Sequence, residues 1–343
     1  MSSHVVHSGA TPFAADFGDV RAEFTALTSA AGIFALSSRV KIAVTGGDRV
    51  RWLNGMLTNN VRDLPVAWGI YAFLLNPQGH ILGDLYAYNR GESLILDTDQ
   101  AQLEKILAHF DHYIIMDDVE LKNLSEELNT IGIAGPGAAE KLHQIGLEAR
   151  DLQPLQCANQ EWRDSPVTLV RTDNPAVPGY ELWCAPDHSQ ALSEALINAG
   201  AIPAGTSALE LLRIAAGIPR YGQDIRERDL PQETEQDRAL HFAKGCYIGQ
   251  EIVERIRSRG AVHRKFTGFE VVGSLPTLGT KIQLDNRDVG EITSAASLPA
   301  PDGEFRAALG YIRREVASPG KKLQAGDTQL SVAIVPFAQV FPQ

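Results

Sequence analysis

One cysteine of this chain lies in a setting that favours chemistry. Residues 244–251 read KGCYIGQE, which places one thiol between two glycines, beside a cation and ahead of a carboxylate. Gly245 and Gly249 allow backbone angles and close approaches that a Cβ would forbid, so a shaped turn is favoured over a helix interior. Lys244 favours the thiolate of Cys246, which is the nucleophilic form. A buried cysteine in a tight turn is the alternative, but the dense local pattern favours a reactive thiol.

Neighbouring side chains of the same segment are further candidates. Tyr247 can stack on a planar ligand. Gln250 is a second candidate ligand-binding residue of this segment. Glu251 can accept a proton or pair with Lys244, so the candidate catalytic residues are Cys246, Lys244 and Glu251. Each of these neighbours can equally well stabilise the turn. A thiolate here can bind iron of a cluster in transit, or attack an oxidised sulfur or an electrophilic carbon, and the sequence leaves these roles open.

The remaining residues with metal or redox potential form no recognisable site. Cys157, Cys184 and Cys246 are widely spaced and odd in number, which does not suit a disulfide framework and fits a reducing compartment. No CxxC occurs, so any cluster chemistry would be exercised on a partner. His109 and His112 lie three apart on a predicted helix without an acidic partner, so we expect polar-face residues and no metal.

Composition and charge narrow the class of protein. The formal net charge of -11 argues against broad nucleic-acid binding, which relies on many Lys and Arg side chains. Residues 1–20 lack a basic stretch followed by an apolar run, and no segment approaches the roughly 20 apolar residues that span a bilayer. At roughly 150 residues per domain, we expect two or three domains. The predicted location is cytoplasmic, with no membrane and no direct nucleic-acid partner.

Segments in both halves of the chain carry a family resemblance. Residues 244–251 resemble the signature of the YgfZ-type folate-binding proteins, relatives of the glycine cleavage T-protein (aminomethyltransferase) that take part in iron–sulfur cluster assembly or repair. Residues 52–61, WLNGMLTNNV, and 74–85, LLNPQGHILGDL, resemble the N-terminal folate-binding half of the T-protein, and residues 289–294 and 308–312 resemble its C-terminal domain. The resemblance implies tetrahydrofolate as cofactor, and a reduced folate and iron–sulfur client or carrier proteins as partners.

The same resemblance assigns the candidate folate ligands. In the T-protein an aspartate pair follows the hairpin turn and one of the pair contacts folate, whereas here the pair is reduced to Gly83 and Asp84. A carboxylate at Asp84 can bond the adjacent N–H donors of a pterin, although a surface aspartate is an equal interpretation from the residues alone. The set implied to bind folate is Asn76, Asp84, Arg213, Tyr221, Tyr247, Gln250 and Arg257.

A basic stretch follows the thiol motif. Residues 254–265 contain a single acid, Glu254, and the cations Arg255, Arg257, Arg259, Arg264 and Lys265. These cations can hold the carboxylates of a folate's glutamate tail, or they can form a solvated face. The sequence leaves both interpretations open.

Departures from the T-protein pattern weigh against aminomethyl transfer. Gly83 removes one carboxylate of the pair, and Ala215 stands where the T-protein pattern carries a glutamate before Ala-Gly. Cys246 is what the T-protein enzymes lack and the YgfZ-type proteins carry. The resemblance therefore implies a retained folate cavity with altered polar contacts.

The elements that must position these residues are readable from periodicity. In the first part, a turn at residues 76–79 joins two strands, because Pro fits its second position and Gly its fourth. Asp48 is expected to cap one helix, and residues 97–99 to begin another. Residues 150–164 are predicted to be loop. Strands are predicted at residues 40–44, 70–75, 81–88, 93–96, 130–134, 167–171 and 180–184, and helices also at residues 138–144 and 189–198.

The second part changes character. A capping box at residues 207–210 opens a helix that ends at Gly217. Little periodicity follows until a helix at residues 252–257, which is typical of a functional surface or long binding loop. Short strands predicted at residues 266–272, 281–284, 289–295, 307–313 and 329–334 indicate a small β-barrel.

The predicted fold class is α+β, a T-protein-like folate-binding body of two α+β units plus a C-terminal antiparallel β-barrel. The predicted domains are residues 1–125 with 205–261, which carry Cys246; residues 126–204, a second ferredoxin-like domain; and residues 262–343, the barrel.

The predicted function is tetrahydrofolate binding in support of iron–sulfur cluster assembly or repair in client enzymes. A folate held between the two N-terminal units would lie near Cys246, the key thiol. The first alternative is a folate-dependent aminomethyltransferase or demethylase, which shares the fold. The second is a non-catalytic scaffold in which folate is only a structural or regulatory ligand.

Overall fold

The computed structural model describes residues 14–260 and 262–341, apart from the side chain of Arg259. The chain forms two compact units. The first consists of the described residues up to Ala72 with Asp84–Leu209, and the second of Phe73–Gly83 with the described residues from Glu210 onward. The three domain limits expected above stay a prediction. Most of residues 1–20, which were searched for a targeting signal, lie outside the described residues.

The first unit contains helices and two sheets. Its helices are α1 (Val20–Ser29), α2 (Arg49–Met56), α3 (Leu103–Tyr113), α4 (Ala138–Gln144) and α5 (Pro186–Asn198). Its strands are β1 (Gly32–Ala35), β2 (Arg39–Thr45), β5 (Leu94–Asp99), β6 (Glu120–Asn123), β7 (Asn129–Ala134), β8 (Cys157–Trp162), β9 (Ser165–Arg171), β10 (Gly179–Cys184) and β11 (Ile202–Pro203). Residues of both units form β3 (Gly69–Leu75), β4 (Ile81–Asn89) and α6 (Thr206–Ala216).

The first sheet has the strand order β3-β4-β5-β2-β6. The predicted hairpin is present, because the N–H of Gly79 donates to the carbonyl of Asn76 at 2.9 Å and closes the turn. Helix α2 follows Asp48 as expected, but the Asp48 carboxylate accepts the N–H of Asp118 at 3.0 Å instead of capping the helix. The Asp48 carboxylate thus binds a backbone N–H outside the helix instead of one in the first turn of α2.

The second sheet has the order β11-β1-β7-β10-β9-β8. Strand β8 lies where the sequence predicts loop, so that prediction is wrong. The cause is a hairpin with β9 whose turn residues Arg163 and Asp164 have φ values of 50° and 61°. Neither residue is a glycine, so the turn gives little signal in the sequence. Helix α1 and strands β1, β6 and β11 are likewise absent from the sequence prediction.

The two sheets of the first unit pack face to face. Ala43, Tyr88 and Ile95 from the first sheet meet apolar side chains from the second sheet, namely Cys157, Val170 and Trp183. On its other face, the second sheet carries a larger apolar core with helices α4 and α5. The inner faces of both sheets are therefore buried, and polar groups on them require partners.

The second unit ends in a closed antiparallel barrel with the order β12-β15-β14-β13-β16-β17. The strands are β12 (Arg264–Val272), β13 (Lys281–Leu284), β14 (Arg287–Ala300), β15 (Gly303–Arg313), β16 (Lys322–Ala325) and β17 (Thr328–Ala333). Helix α7 (Gln250–Arg259) precedes the barrel. The α+β class and the barrel are confirmed, and β16 is the strand that the sequence missed. The capping-box prediction is wrong in detail, because Glu210 binds Arg213 and the helix already begins at Thr206.

Candidate functional site

The thiol segment, residues 244–251, lies in the second unit just before α7. Cys246 is a free, exposed cysteine in irregular backbone. Lys244 is 9% exposed, and its ammonium lies 4.9 Å from the ring centroid of the buried Tyr247. Burial, reinforced by the Glu254 carboxylate, raises the pKa of Tyr247 to about 12, so the phenol stays neutral. The segment therefore displays its thiol to solvent while its cation packs on an aromatic face.

The turn of the β3–β4 hairpin packs against this segment without spare room. Gly249 has a φ of 82°, and a Cβ there would lie 2.7 Å from the carbonyl oxygen of Asn76. A Cβ at Gly79, in the turn itself, would lie 2.7 Å from the Cβ of Ile252. Real Cβ atoms do not approach so closely, so each glycine is required by the other element. The turn and the thiol segment thus form one packed piece of structure.

The polar candidates beside the thiol serve this local structure. The side-chain oxygen of Asn76 accepts the N–H of His80 at 2.9 Å, which stabilises the hairpin turn. Gln250 begins α7, and its N–H donates to the carbonyl of Tyr247 at 3.2 Å. Glu251 is exposed in the first turn of α7, where a carboxylate interacts favourably with the helix dipole.

The basic stretch divides into two groups. Arg255 and Arg257 are exposed on α7, and Arg257 lies 3.5 Å from Glu254. Arg264 instead pairs with acidic groups, at 2.7 Å from Asp229 and 2.9 Å from Glu233. Lys265 likewise pairs with Glu235. The hypothesis of a carboxylate-binding patch therefore rests on Arg255 and Arg257, while the Arg259 side chain lies outside the description.

Arg213 is enclosed by protein groups. Its five N–H bonds go to the two oxygens of Glu210, the carbonyl of Ile218, the carboxylate of Asp224 and the hydroxyl of Ser294, at 2.6–2.9 Å. A guanidinium has five donors, so none is left for a ligand. Arg213 as a folate ligand stays a prediction, and its geometry favours a structural role.

Tyr221 anchors the hairpin arm, by which we mean Phe73–Gly83. Its hydroxyl donates to the carbonyl of Leu82 at 2.5 Å, and the N–H of Ile81 donates to the carbonyl of Asp229 at 3.1 Å. Residues 81 and 82 of the arm are therefore bonded to later segments of the second unit, to which the arm belongs.

Asp84 follows the arm and lies in the first unit. Its two carboxylate oxygens accept the hydroxyl of Tyr71 and the side-chain N–H of Gln102, each at 2.7 Å. The carboxylate is half-buried, so its orientation is fixed while part of it remains accessible. This fixed acceptor suits a ligand with N–H donors.

A row of aromatic rings extends from Asp84 into the space between the sheets. Tyr71 lies 5.0 Å from Tyr86, which is stacked with Tyr88 at 6.4 Å. Tyr88 in turn meets Trp183 edge to face at 5.2 Å. We call these four residues the aromatic row.

A buried ionic cluster that sequence reasoning missed lies at the far end of the aromatic row. The Lys41 ammonium donates to Asp97 at 2.8 Å and to the Thr130 hydroxyl at 3.0 Å, and it lies 3.8 Å from Glu181. Arg39 completes the cluster with a second ion pair to Asp97 at 3.0 Å. The four charges sum to zero, which permits burial.

The cluster perturbs its two acids in opposite directions. Burial raises the pKa of Glu181, and the neighbouring Asp97 carboxylate adds to this, against the opposing effect of Lys41 and Arg39. Burial alone would also raise the pKa of Asp97, but the two cations outweigh it and hold that pKa below its usual range. Shifted acids, one of them the partly exposed Glu181, beside a row of aromatic rings in which Tyr86 is partly exposed mark a candidate binding site.

One signal for this cluster was present in the sequence. Lys41 and Glu181 each lie between apolar residues of a strand, and Asp97 follows the apolar run of residues 94–96. Side chains on a strand alternate between its faces. Register places Asp97 opposite both Lys41 and Tyr86 on one face of the first sheet. Residues 97–99 are predicted to begin a helix. Only Asp99 has that role, since its carboxylate accepts the N–H of Ala101.

The other cysteines and the histidine pair offer less. Burial raises the pKa of Cys157, and that of Cys184 to about 11, so both stay protonated thiols. His109 packs 5.0 Å from the Tyr113 ring. Within residues 14–260 and 262–341, no cluster of three or more metal-ligating side chains is found. Over the same residues, no helix combines the length and apolar character needed to traverse a bilayer.

Comparison with known proteins identifies the family. Residues 7–244 match the family model of the GCVT N-terminal domain. An aminomethyltransferase of Rubrobacter xylanophilus is 31% identical over 82% of this chain and 77% of its own length. One of Geobacillus kaustophilus is 28% identical over 94% of this chain and 90% of its own length. The chain belongs to the GCVT family.

A solved structure carries the same fold. The glycine cleavage system aminomethyltransferase T from Bartonella henselae is similar over 98% of this chain and 94% of that chain, with a TM-score of 0.87 and 22% identity. The T-protein-like fold is thereby confirmed. The finer YgfZ-type assignment stays a prediction, because the relatives compared carry the aminomethyltransferase name.

Proposed function

We propose that this protein binds a reduced folate in its first unit and uses it in one-carbon transfer of the aminomethyltransferase type. One continuous feature supports the ligand: the aromatic row connects the fixed Asp84 carboxylate with the Glu181 carboxylate. A pterin offers a flat ring face and adjacent N–H donors on one edge. Tyr86, the partly exposed ring of the aromatic row, suits the face, and carboxylate oxygens suit the donors, so the residues fit this group.

The chain's share of the reaction is binding and orientation. When bound, tetrahydrofolate would supply the nitrogen atoms that accept a one-carbon unit. Glu181 would fix the pterin edge, and Asp84, at the other end of the aromatic row, would orient a more distant part of the folate. Fixed geometry is a large part of the rate advantage of a transferase. The aminomethyltransferase relatives support this reaction over the cluster role expected from the thiol motif. Gly83 and Ala215 remain departures from the T-protein pattern.

Calorimetry with tetrahydrofolate tests the ligand. We expect Glu181→Gln to weaken binding about ten- to a hundredfold, because a hydrogen bond to a charged group contributes roughly 1.5–3 kcal/mol. Glu161→Gln, which changes an exposed glutamate on β8, is the matched control and should bind like wild type. Equal affinities for all three proteins would remove Glu181 from the site, and no binding by wild type would remove the folate proposal.

A transfer assay tests the reaction. The purified protein is given tetrahydrofolate with a lipoyl-bound aminomethyl donor or an N-methyl amine, and formation of the one-carbon folate is followed. We expect turnover with one of these donors. Folate binding without turnover on any donor would exclude the transferase and leave the second candidate.

The exposed thiol of Cys246 favours that second candidate, folate-dependent support of iron–sulfur cluster assembly or repair. In strains lacking the protein, we expect Cys246→Ala to restore less activity of cluster enzymes under oxidative stress than wild type. Ser258→Ala, at an exposed hydroxyl on α7, is the control. If Cys246→Ala matches wild type, folate would be a ligand of a scaffold or of a transferase, and the thiol would have no part in cluster supply.

A further inference from the structure

The buried ionic cluster contains a lysine whose position the proposed folate site does not explain. Lys41 is 1% exposed, on strand β2, and faces the second sheet. Burying an ion pair usually contributes little to stability compared with apolar residues of the same size. Four charged groups between two apolar sheets therefore point to a use of the charge.

The charged side chains of the cluster differ in how far they are exposed to solvent. The side chains of Lys41 and Asp97 are 1% and 2% exposed, whereas that of Glu181 is 13% exposed. Asp97 is bonded by two cations, Arg39 and Lys41, so one positive charge remains to act on Glu181. The positive charge that remains on Lys41, Arg39 and Asp97 together therefore balances the negative charge of Glu181, which is the more exposed of the two acids.

Glu181 is also held in orientation. The indole N–H of Trp183 donates to its Oε2 at 2.9 Å, and the Lys41 ammonium lies 4.7 Å from the Trp183 ring centroid. Its Oε1 accepts no hydrogen bond from any residue that the structure describes. One oxygen is therefore fixed by the protein, and the other is available to an external donor.

We propose that Lys41 is a positioning residue for ligand binding: anchored by Asp97 and Thr130, its ammonium keeps the Glu181 carboxylate ionised and aimed as a hydrogen-bond acceptor for the pterin edge. This inference rests on the proposed folate site. Burial favours the neutral carboxyl group, which donates a hydrogen bond, whereas a nearby cation favours the ionised group, which accepts one. The inference assigns this second effect to Lys41.

The groups around Glu181 set the expected pH dependence. Asp97 on β5, Lys41 and Arg39 on β2, and Tyr88 on β4 act on it, while Tyr86 on the same strand acts through Arg39 and Tyr88. Binding needs the carboxylate, so affinity falls as the pH drops through the Glu181 pKa. Loss of Lys41 moves this acid limb to higher pH, because a stabilising cation is gone. Loss of the Asp97 charge moves it to lower pH, because a repelling anion is gone.

The decisive experiment titrates Glu181 without ligand. The indole N–H signal of Trp183 in ¹H–¹⁵N spectra, assigned by Trp183→Phe, is followed against pH in Lys41→Met, Asp97→Asn and wild type. We expect midpoints about one to three pH units higher in Lys41→Met, the usual effect of an opposite charge within about 4–6 Å, and lower in Asp97→Asn. Lys122→Met, at an exposed lysine on the adjacent strand β6, should leave the midpoint unchanged.

Midpoint shifts in opposite directions distinguish the proposed role from a structural one, because a general loosening of the ionic cluster would move the midpoints of both variants in the same direction. A shared direction, or a wild-type midpoint in Lys41→Met, overturns the inference. Should Lys41→Met not fold, Asp97→Asn decides alone, with a lower midpoint in support and any other result against. Tetrahydrofolate affinity measured over the same pH range must follow these midpoints. If wild type binds no folate while the midpoints move as expected, the proposed function fails and takes the ligand role of Lys41 with it.

Discussion

A single guanidinium joins three segments of the second unit. Arg213 on α6 bonds Asp224 in the following loop and Ser294 on barrel strand β14, and Asp224 is fully buried. Asp224 also accepts the hydroxyls of Thr293 and Ser294. Since an uncompensated buried charge is costly, every member of this network depends on the others.

Arg213→Met should destabilise the protein strongly. Removing one partner of a buried pair typically costs about 3–5 kcal/mol, and we expect a loss of that size in the free energy of unfolding, measured by urea denaturation. Arg313→Met, at an exposed arginine whose nearest carboxylate oxygen is 3.9 Å away, should change stability little. The opposite pattern, normal stability with folate affinity lost, would restore Arg213 to the ligand set.

At the scale of elements, the hairpin turn and the thiol segment depend on each other through glycine. Gly249 needs its left-handed backbone to start α7, and its α-carbon packs against the turn of another element. A side chain on either partner would push the Cys246 loop away from its position.

Gly249→Ala should therefore alter the reactivity of Cys246. The left-handed backbone alone costs a non-glycine residue roughly 1–2 kcal/mol, and the close approach to Asn76 adds to this. We expect a changed rate of reaction of the exposed thiol with a disulfide reagent, and lower thermal stability. Gly260→Ala serves as control, because Gly260 has extended backbone and nothing within 4 Å of its Cβ position. Identical rates in both variants would mean that the turn does not position the thiol.

Elements with strong local signals were predictable from the sequence. The hairpin at residues 76–79 and helix α4 were read from proline, glycine and apolar spacing, and α4 was found at its predicted limits. Strand β8 was not, because its polar middle and its turn without glycine hide the alternation. The ionic cluster was missed for another reason: its two acids lie 56 or more residues from its two cations, and only strand register brings them together.

For the whole molecule, the family membership and the thiol motif point to different chemistry on one fold. Relatives named aminomethyltransferase match most of the chain, and the T-protein fold spans nearly all of it. A shared fold does not fix the reaction, which depends on the groups at the site. Here the carboxylates of the first unit and the thiol of the second carry separate proposals, and each can fail without the other.

The hairpin arm has a consequence for how this protein can be dissected. Its two strands begin and end in the first unit, while the residues between them belong to the second unit and are bonded within it. A gene fragment that stops at codon 209 would encode the hairpin arm without the residues to which it is bonded. The complementary fragment would encode the barrel without the hairpin arm. No single break in the reading frame yields two intact halves, so shuffling between relatives must exchange the interleaved pieces together.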